Sequence, residues 1–233
     1  MRLASIQVAL PRQHGRAAAV DPMGRPWTTA FFKEPVAGPV WLGRTNLAGD
    51  RQADLKHHGG PDRAVMCYAA AHYTVWRSEL GRELPHGGFG ENFTVDGLDE
   101  SAVCIGDVYA IGEARVQVSQ PRIPCWKIAR RWGVRDLSAR VQRTGRTGWY
   151  LRVLDEGRVA PGDGVTLLER PHPEWTVARA NAAIYTRPRD VDEILALTAV
   201  SALTRELAEG LAQYVALRHD PGDDDRLVGP NAG

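Results

Sequence analysis

The chain has 233 residues, 43% hydrophobic and 24% charged, the composition of a globular protein with one large domain or one domain and a small appendage. A formal net charge of +1 excludes a global attraction to a nucleic-acid polymer or to a membrane surface, so any electrostatic recognition is local. Three cysteines, Cys67, Cys104 and Cys125, are too few for a disulfide framework or a four-thiolate iron–sulfur centre, and they fit a reducing cytoplasm.

At the N-terminus, MRLASIQVALPRQHG holds too short an apolar run for a secretory signal, and no later run approaches the ~18 apolar residues of a membrane-spanning helix. Residues 70–80 place Tyr73, Trp76 and Leu80 at helical spacing, and residues 92–95 read as a strand. Residues 108–111 and 114–119 flank Gly112-Glu113 as a hairpin, with Val116 and Val118 on one face of its second arm. Leu137 and Val141 predict a short helix over 136–142, and Trp149, Leu151 and Val153 alternate along another strand. A strand over 165–168 completes a region of many short strands, which suggests a barrel or sandwich. At RPHPEWT the texture becomes helical: Thr176 is a candidate N-cap for a helix over 177–185, followed by helices over 191–197 and 202–218. The tail, residues 219–233, is acidic, contains Gly and Pro, and is predicted to be disordered.

Four stretches carry chemistry-bearing residues, each with a plainer alternative. KEPVAGPVWL, from Lys33, reads as a ligand-binding segment or as an edge strand that tolerates proline. GDRQADLKHHGGPDRAV gathers Asp50, Arg51, Lys56, His58 and Asp62 around a Gly-Gly-Pro turn. It is either an anion cradle built from backbone N–H groups or a charged surface turn, and its spacing matches no zinc motif. GGFGENFTVDGL lets a ligand approach the backbone closely, with Asn92 suited to a heterocycle edge, or is simply a loop entering a strand. In SQPRIPCWKIA, prolines stiffen the approach to Cys125, and Arg122 and Lys127 would favour its thiolate; the alternative is a buried structural cysteine. Only Lys33, Lys56 and Lys127 are lysines among 29 basic residues, so each is either a chance survivor or a site needing a compact ammonium.

In their order and combination these stretches, with IGDVYAIGEARV and GWYLRVLDEG, resemble the MOSC family, named for the C-terminal domain of molybdenum-cofactor sulfurases. The likeness is to its YiiM-type stand-alone members, and HPEWTVARANAAIY resembles the three-helix domain appended to that branch. The resemblance covers residues 1–218 and implies a mainly β fold with helices: a MOSC-type β-barrel domain over 1–170 and a three-helix domain over 175–218. It implies a molybdenum cofactor (Mo-molybdopterin), with Cys125 as the metal-ligating and catalytic thiolate. Lys33, Arg51, Arg122 and Lys56 would be basic cofactor-binding positions, Asn92 would lie near the pterin, and His58 and Asp62 would be candidate proton donors. Molybdenum's preference for soft sulfur and the cofactor phosphate's need for Lys and Arg donors agree with this set.

The implied activity is reduction of N-hydroxylated compounds, such as hydroxylaminopurine-like bases and hydroxylamines, to amines. Without an iron–sulfur cysteine set or a nicotinamide fingerprint, the chain would take electrons from an external flavin or iron–sulfur reductase. The alternative is a non-redox molybdenum cofactor carrier or a sulfur (persulfide) transfer protein. A metal-free small-molecule binder is the plainest reading.

Overall fold

The structure, a computed structural model, describes residues 1–54, 58–217 and 222–232. Its strands are β1 (Arg2–Val8), β2 (Arg12–His14), β3 (Trp27–Thr29), β4 (Glu34–Pro35), β5 (Val40–Leu42), β6 (Val65–Ala69), β7 (Phe93–Asp96), β8 (Val108–Ile111), β9 (Ala114–Pro121), β10 (Trp149–Asp155), β11 (Gly157–Val159) and β12 (Val165–Glu169). Its helices are α1 (Ala70–Leu80), α2 (Lys127–Trp132), α3 (Leu137–Thr144), α4 (Val177–Tyr185), α5 (Val191–Thr198), α6 (Arg205–Leu217) and α7 (Asp224–Leu227).

Eight strands form one sheet in the order β12-β8-β9-β10-β6-β7-β1-β4. The β6–β7 pair is parallel and is joined through α1, while the other pairs in this sheet are antiparallel. The sheet curls into a half-barrel that brings β1 back toward the chain before β12. There the Leu3 N–H donates to the Asp163 carbonyl at 2.8 Å, and the Gly162 N–H to the Leu3 carbonyl at 2.7 Å.

Side-chain alternation explains the core. In β10, Trp149, Leu151 and Val153 enter the main apolar cluster, while Tyr150 packs against a second one on the opposite face. β6 is buried on both faces: Val65 and Cys67 join the main cluster, and Met66 and Tyr68 join Tyr73, Trp76 and Phe89. Such a strand reads in sequence as a short apolar run without period. The predicted hairpin forms between β8 and β9. Gly112 has φ +56°, and a Cβ there would sit 2.5 Å from the Arg158 carbonyl oxygen, so the turn requires glycine.

Thr176 caps α4 as predicted, its hydroxyl accepting from the Arg179 N–H at 3.0 Å. Helix α6 starts at Arg205, later than the expected 202. Its cap is Thr204, whose buried hydroxyl accepts from the Leu207 N–H and donates to Gln120 Oε1 at 2.6 Å. Ala180, Ile184, Ile194, Leu197 and Leu211 from α4–α6 share one continuous core with Val116 and Val118 of the sheet.

Residues 222–232, where composition predicts disorder, instead contain α7 and a 3₁₀ turn over Gly229–Asn231. Long-range pairing overrides the composition: Asp223 is met by Gln142 at 2.7 Å and Arg187 at 3.6 Å, and Asn231 is buried against Arg130. Among the described residues no helix is long and apolar enough to cross a membrane.

Candidate functional site

A cleft of about 80 Å³ opens beyond the end of β9. Of the residues predicted from sequence, Lys33, Arg51, His58, Asn92, Arg122 and Cys125 line it together. Arg122 and Cys125 come from the segment after β9, Lys33 from the residue before β4, Arg51 and His58 from the connection between β5 and β6, and Asn92 from the entry to β7. Lys56 lies outside the described residues. Arg63, Lys127 and Tyr150 also line the cleft, and no Asp or Glu does among the described lining residues. The local field is therefore positive although the chain is nearly neutral.

Asp50 supplies the buried counter-charge. It is fully buried, and one carboxylate oxygen accepts from the Lys33 ammonium and from the Ala9 N–H at 2.8 Å. Its other oxygen accepts from Asn92 Nδ2 at 2.9 Å. Burial lowers the Lys33 pKa, and Asp50 opposes that shift. Arg51 Nη1 donates to the Asp50 carbonyl at 2.8 Å. Asn92 was expected to read a heterocycle edge, yet its amide also donates to the Gln7 carbonyl at 3.2 Å, and its Oδ1 accepts from the Met66 N–H at 3.2 Å. Its side chain ties β1, β6 and Asp50 together, and both of its N–H groups are engaged in doing so.

The glycine-rich loop is organised by Glu91, which is fully buried. Its carboxylate accepts from the Gly87 N–H at 2.7 Å, the Phe89 N–H at 3.1 Å, the Thr94 hydroxyl at 3.0 Å and the Tyr73 hydroxyl. The loop so held presents the Phe89 carbonyl to Arg122 Nη2 at 3.2 Å. The Arg122 main chain is fixed by its N–H donating to the Gly148 carbonyl at 2.9 Å. Arg122 Nη1 is buried and has no partner among the described residues, whereas buried polar groups are normally satisfied.

The two expected proton donors differ from expectation. The His58 pKa is lowered to about 3, by burial first and then by Lys127, Arg122 and Arg63, so its imidazole is neutral near pH 7. Asp62 does not line the cleft: its carboxylate accepts from Arg152 Nε at 2.8 Å, and its carbonyl accepts from the Ser119 hydroxyl at 2.6 Å. Sequence reasoning missed Tyr150 and Arg63. Alternation places Tyr150 opposite Trp149, but its pairing with Gln120 near Cys125 depends on strand register. Burial raises its pKa, so its hydroxyl stays protonated. Arg63 is held by Glu206 of α6 at 2.7 Å, a partner 143 positions away.

Comparison with known proteins shows the family. The MOSC domain profile matches residues 54–166. The chain is 45% identical over 190 residues to the uncharacterized protein YflK of Bacillus subtilis, covering 82% of this chain and 86% of YflK. It is 37% identical over 187 residues to the protein YiiM of Escherichia coli, covering 79% of this chain and 82% of YiiM. The chain belongs to the MOSC-domain family. The crystal structure of YiiM from Geobacillus stearothermophilus superposes on this MOSC protein with a TM-score of 0.76 at 33% identity, covering 92% of this chain and 98% of that one. A longer protein of Gibberella moniliformis named "Reductase" is 39% identical over 169 residues, which cover 71% of this chain and 30% of the fungal protein.

The residues present fit the cofactor associated with MOSC domains. A guanidinium nitrogen without a partner among the described residues, four further cations and a partly buried thiol share one cleft, a donor set matched to an anionic group that also takes a soft ligand. Among the described residues no cluster of three or more His, Cys, Asp and Glu could hold a metal ion.

Proposed function

We propose that this MOSC protein binds a molybdenum–pterin cofactor through Cys125 and reduces N-hydroxylated compounds to amines. The overall reaction takes R–NHOH, two electrons and two protons to R–NH₂ and water. The observation that carries the reading is the buried Arg122 nitrogen, without a partner among the described residues, in the same cleft as Cys125. The name of the fungal relative supports a reductive role. When bound, the cofactor would supply the two-electron redox chemistry.

The chain's own residues do the positioning. Cys125 offers a soft sulfur donor, and Arg122, Arg51 and Lys33 hold the anionic end, with Asp50 keeping the Lys33 ammonium in place. Tyr150, protonated near neutral pH, is the proton-bearing hydroxyl proposed for delivery to the departing oxygen, and neutral His58 offers a ring N–H. Electrons would come from an external flavin or iron–sulfur reductase.

Protein made in a cofactor-competent host tests the reading, with wild type and Cys125→Ala measured in parallel for molybdenum, pterin and reduction of a hydroxylamine by a low-potential dye. Near-stoichiometric molybdenum and amine formation in wild type, both lost in the variant, is the expected result. Molybdenum bound without amine formation would favour the carrier reading, and an unchanged metal spectrum in Cys125→Ala would remove the thiolate from the metal. Tyr150→Phe should lower turnover by about 10²-fold while leaving cofactor content unchanged.

A further inference from the structure

The five residues 122–126 lie between the end of β9 and the start of α2, where neither a strand ladder nor a helix supplies all the main-chain partners. Pro124 has no N–H, and the groups flanking Cys125 are met instead by a segment about one hundred positions away in the chain. The Trp126 N–H donates to the Arg226 carbonyl at 2.8 Å, and Arg226 Nη1 donates to the Pro124 carbonyl. Asn231 Nδ2 donates to the Trp126 carbonyl at 3.1 Å, while its Oδ1 accepts from Arg130 Nε at 2.7 Å. From α3, the Ser138 hydroxyl donates to the Cys125 carbonyl at 2.8 Å.

The distant segment is itself braced. Arg226 Nη2 donates to Gln142 Oε1 and to Asp223 Oδ1, both at 2.6 Å, and Gln142 Nε2 closes the ring on Asp223 Oδ2 at 2.7 Å. Gly229 lies so close to Trp126 that a Cβ on it would come within 2.6 Å of Trp126 Cδ1.

We propose that residues 223–231 are a clamp that fixes the Cys125 thiol in the cleft, with Arg226 and Asn231 as its positioning residues. The functional purpose rests on the reading of Cys125 as the cofactor's ligand, because a metal–sulfur bond needs its donor held within about 0.5 Å of its working position. The clamp itself is a property of the main chain and is testable without cofactor.

The experiment follows iodoacetamide alkylation of each cysteine by mass spectrometry in native, full-length, cofactor-free protein. Cys67 and Cys104 are 1% exposed and report any general loosening of the fold. Arg226→Ala should alkylate at Cys125 roughly tenfold faster than wild type, as expected when a charge-assisted hydrogen bond that restrains a segment is removed. Asn231→Ala should give a smaller increase, the double variant a larger one, and Arg226→Lys should recover most of the wild-type protection. Asp225→Ala, an exposed neighbour, should alkylate like wild type.

An unchanged Cys125 rate in the double variant would overturn the clamp, as would parallel modification of Cys67 and Cys104 in the single variants and in Arg226→Lys. Failure of the clamp and failure of the cofactor reading remain separable. Molybdenum held through Cys125 with no alkylation difference sinks only the clamp, and a clear alkylation difference in protein that takes up no molybdenum sinks only the cofactor reading.

Discussion

Replacing Asp50 by Asn removes the carboxylate that pairs with the buried Lys33 ammonium. The carboxylate is fully buried, the Lys33 side chain is 7% exposed, and the same carboxylate takes donors from Ala9 and Asn92. Asp50→Asn keeps the shape, but it leaves a buried cation uncompensated and turns an amide NH₂ toward the donors of Lys33 or Asn92. Breaking a buried ion pair from one side costs about 3–5 kcal/mol, far more than losing an exposed pair. For a protein of this size that is a fall in Tm of roughly 6–20 °C. Thermal unfolding followed by circular dichroism measures it directly. The double variant Asp50→Asn/Lys33→Met should recover much of the loss, since no unpaired charge remains. A loss below about 1 kcal/mol in the single variant, or no recovery in the double, would refute the claim that the pair is tightly coupled in a low-dielectric setting.

The lowered pKa of His58 makes a pH prediction whose sign follows from linkage. The unfolded chain binds a proton at His58 below about pH 6.5, while the folded protein stays unprotonated there until about pH 3, so stability is lost as pH falls through that window. Between pH 6.5 and 5 the loss is up to about 2 kcal/mol. Urea unfolding at pH 7 and pH 5 should show it in wild type and not in His58→Gln, and a His58 ring resonance that titrates near pH 6.5 would disprove it. Glu91→Gln should destabilise by about 2–4 kcal/mol, because an amide cannot accept from four donors at once, and urea midpoints will register the change. Gly148→Ala should be worse still: φ is +78°, and the new Cβ would meet the Cys67 carbonyl oxygen at 2.3 Å, so soluble expression and Tm should both fall sharply.

Several elements were legible because their signals are local. The β8–β9 hairpin, α1, the Thr176-capped α4 and α5 follow from turn chemistry, period and capping within a few residues of chain. The motif combination likewise pointed to the family and to a shared site. Helix α2 escaped notice because its six residues, Lys127–Trp132, are fewer than two helical turns and show no full period.

The arrangement around the site was settled elsewhere in the molecule. Lys33 meets Asp50 across 17 positions, Asp50 meets Asn92 across 42, and Asp62 turns to Arg152 across 90. The tail beyond residue 221 folds onto Trp126 and Arg130 against its own composition. By itself the sequence determined several of the strands and helices, which residues were candidates for chemistry, and which family the chain resembles. Only the tertiary structure decided which charges are neutralised, which donors lack a partner among the described residues and what restrains Cys125. Periodicity and capping act over a few residues, whereas burial and charge pairing are properties of neighbours that the chain brings together only when it folds.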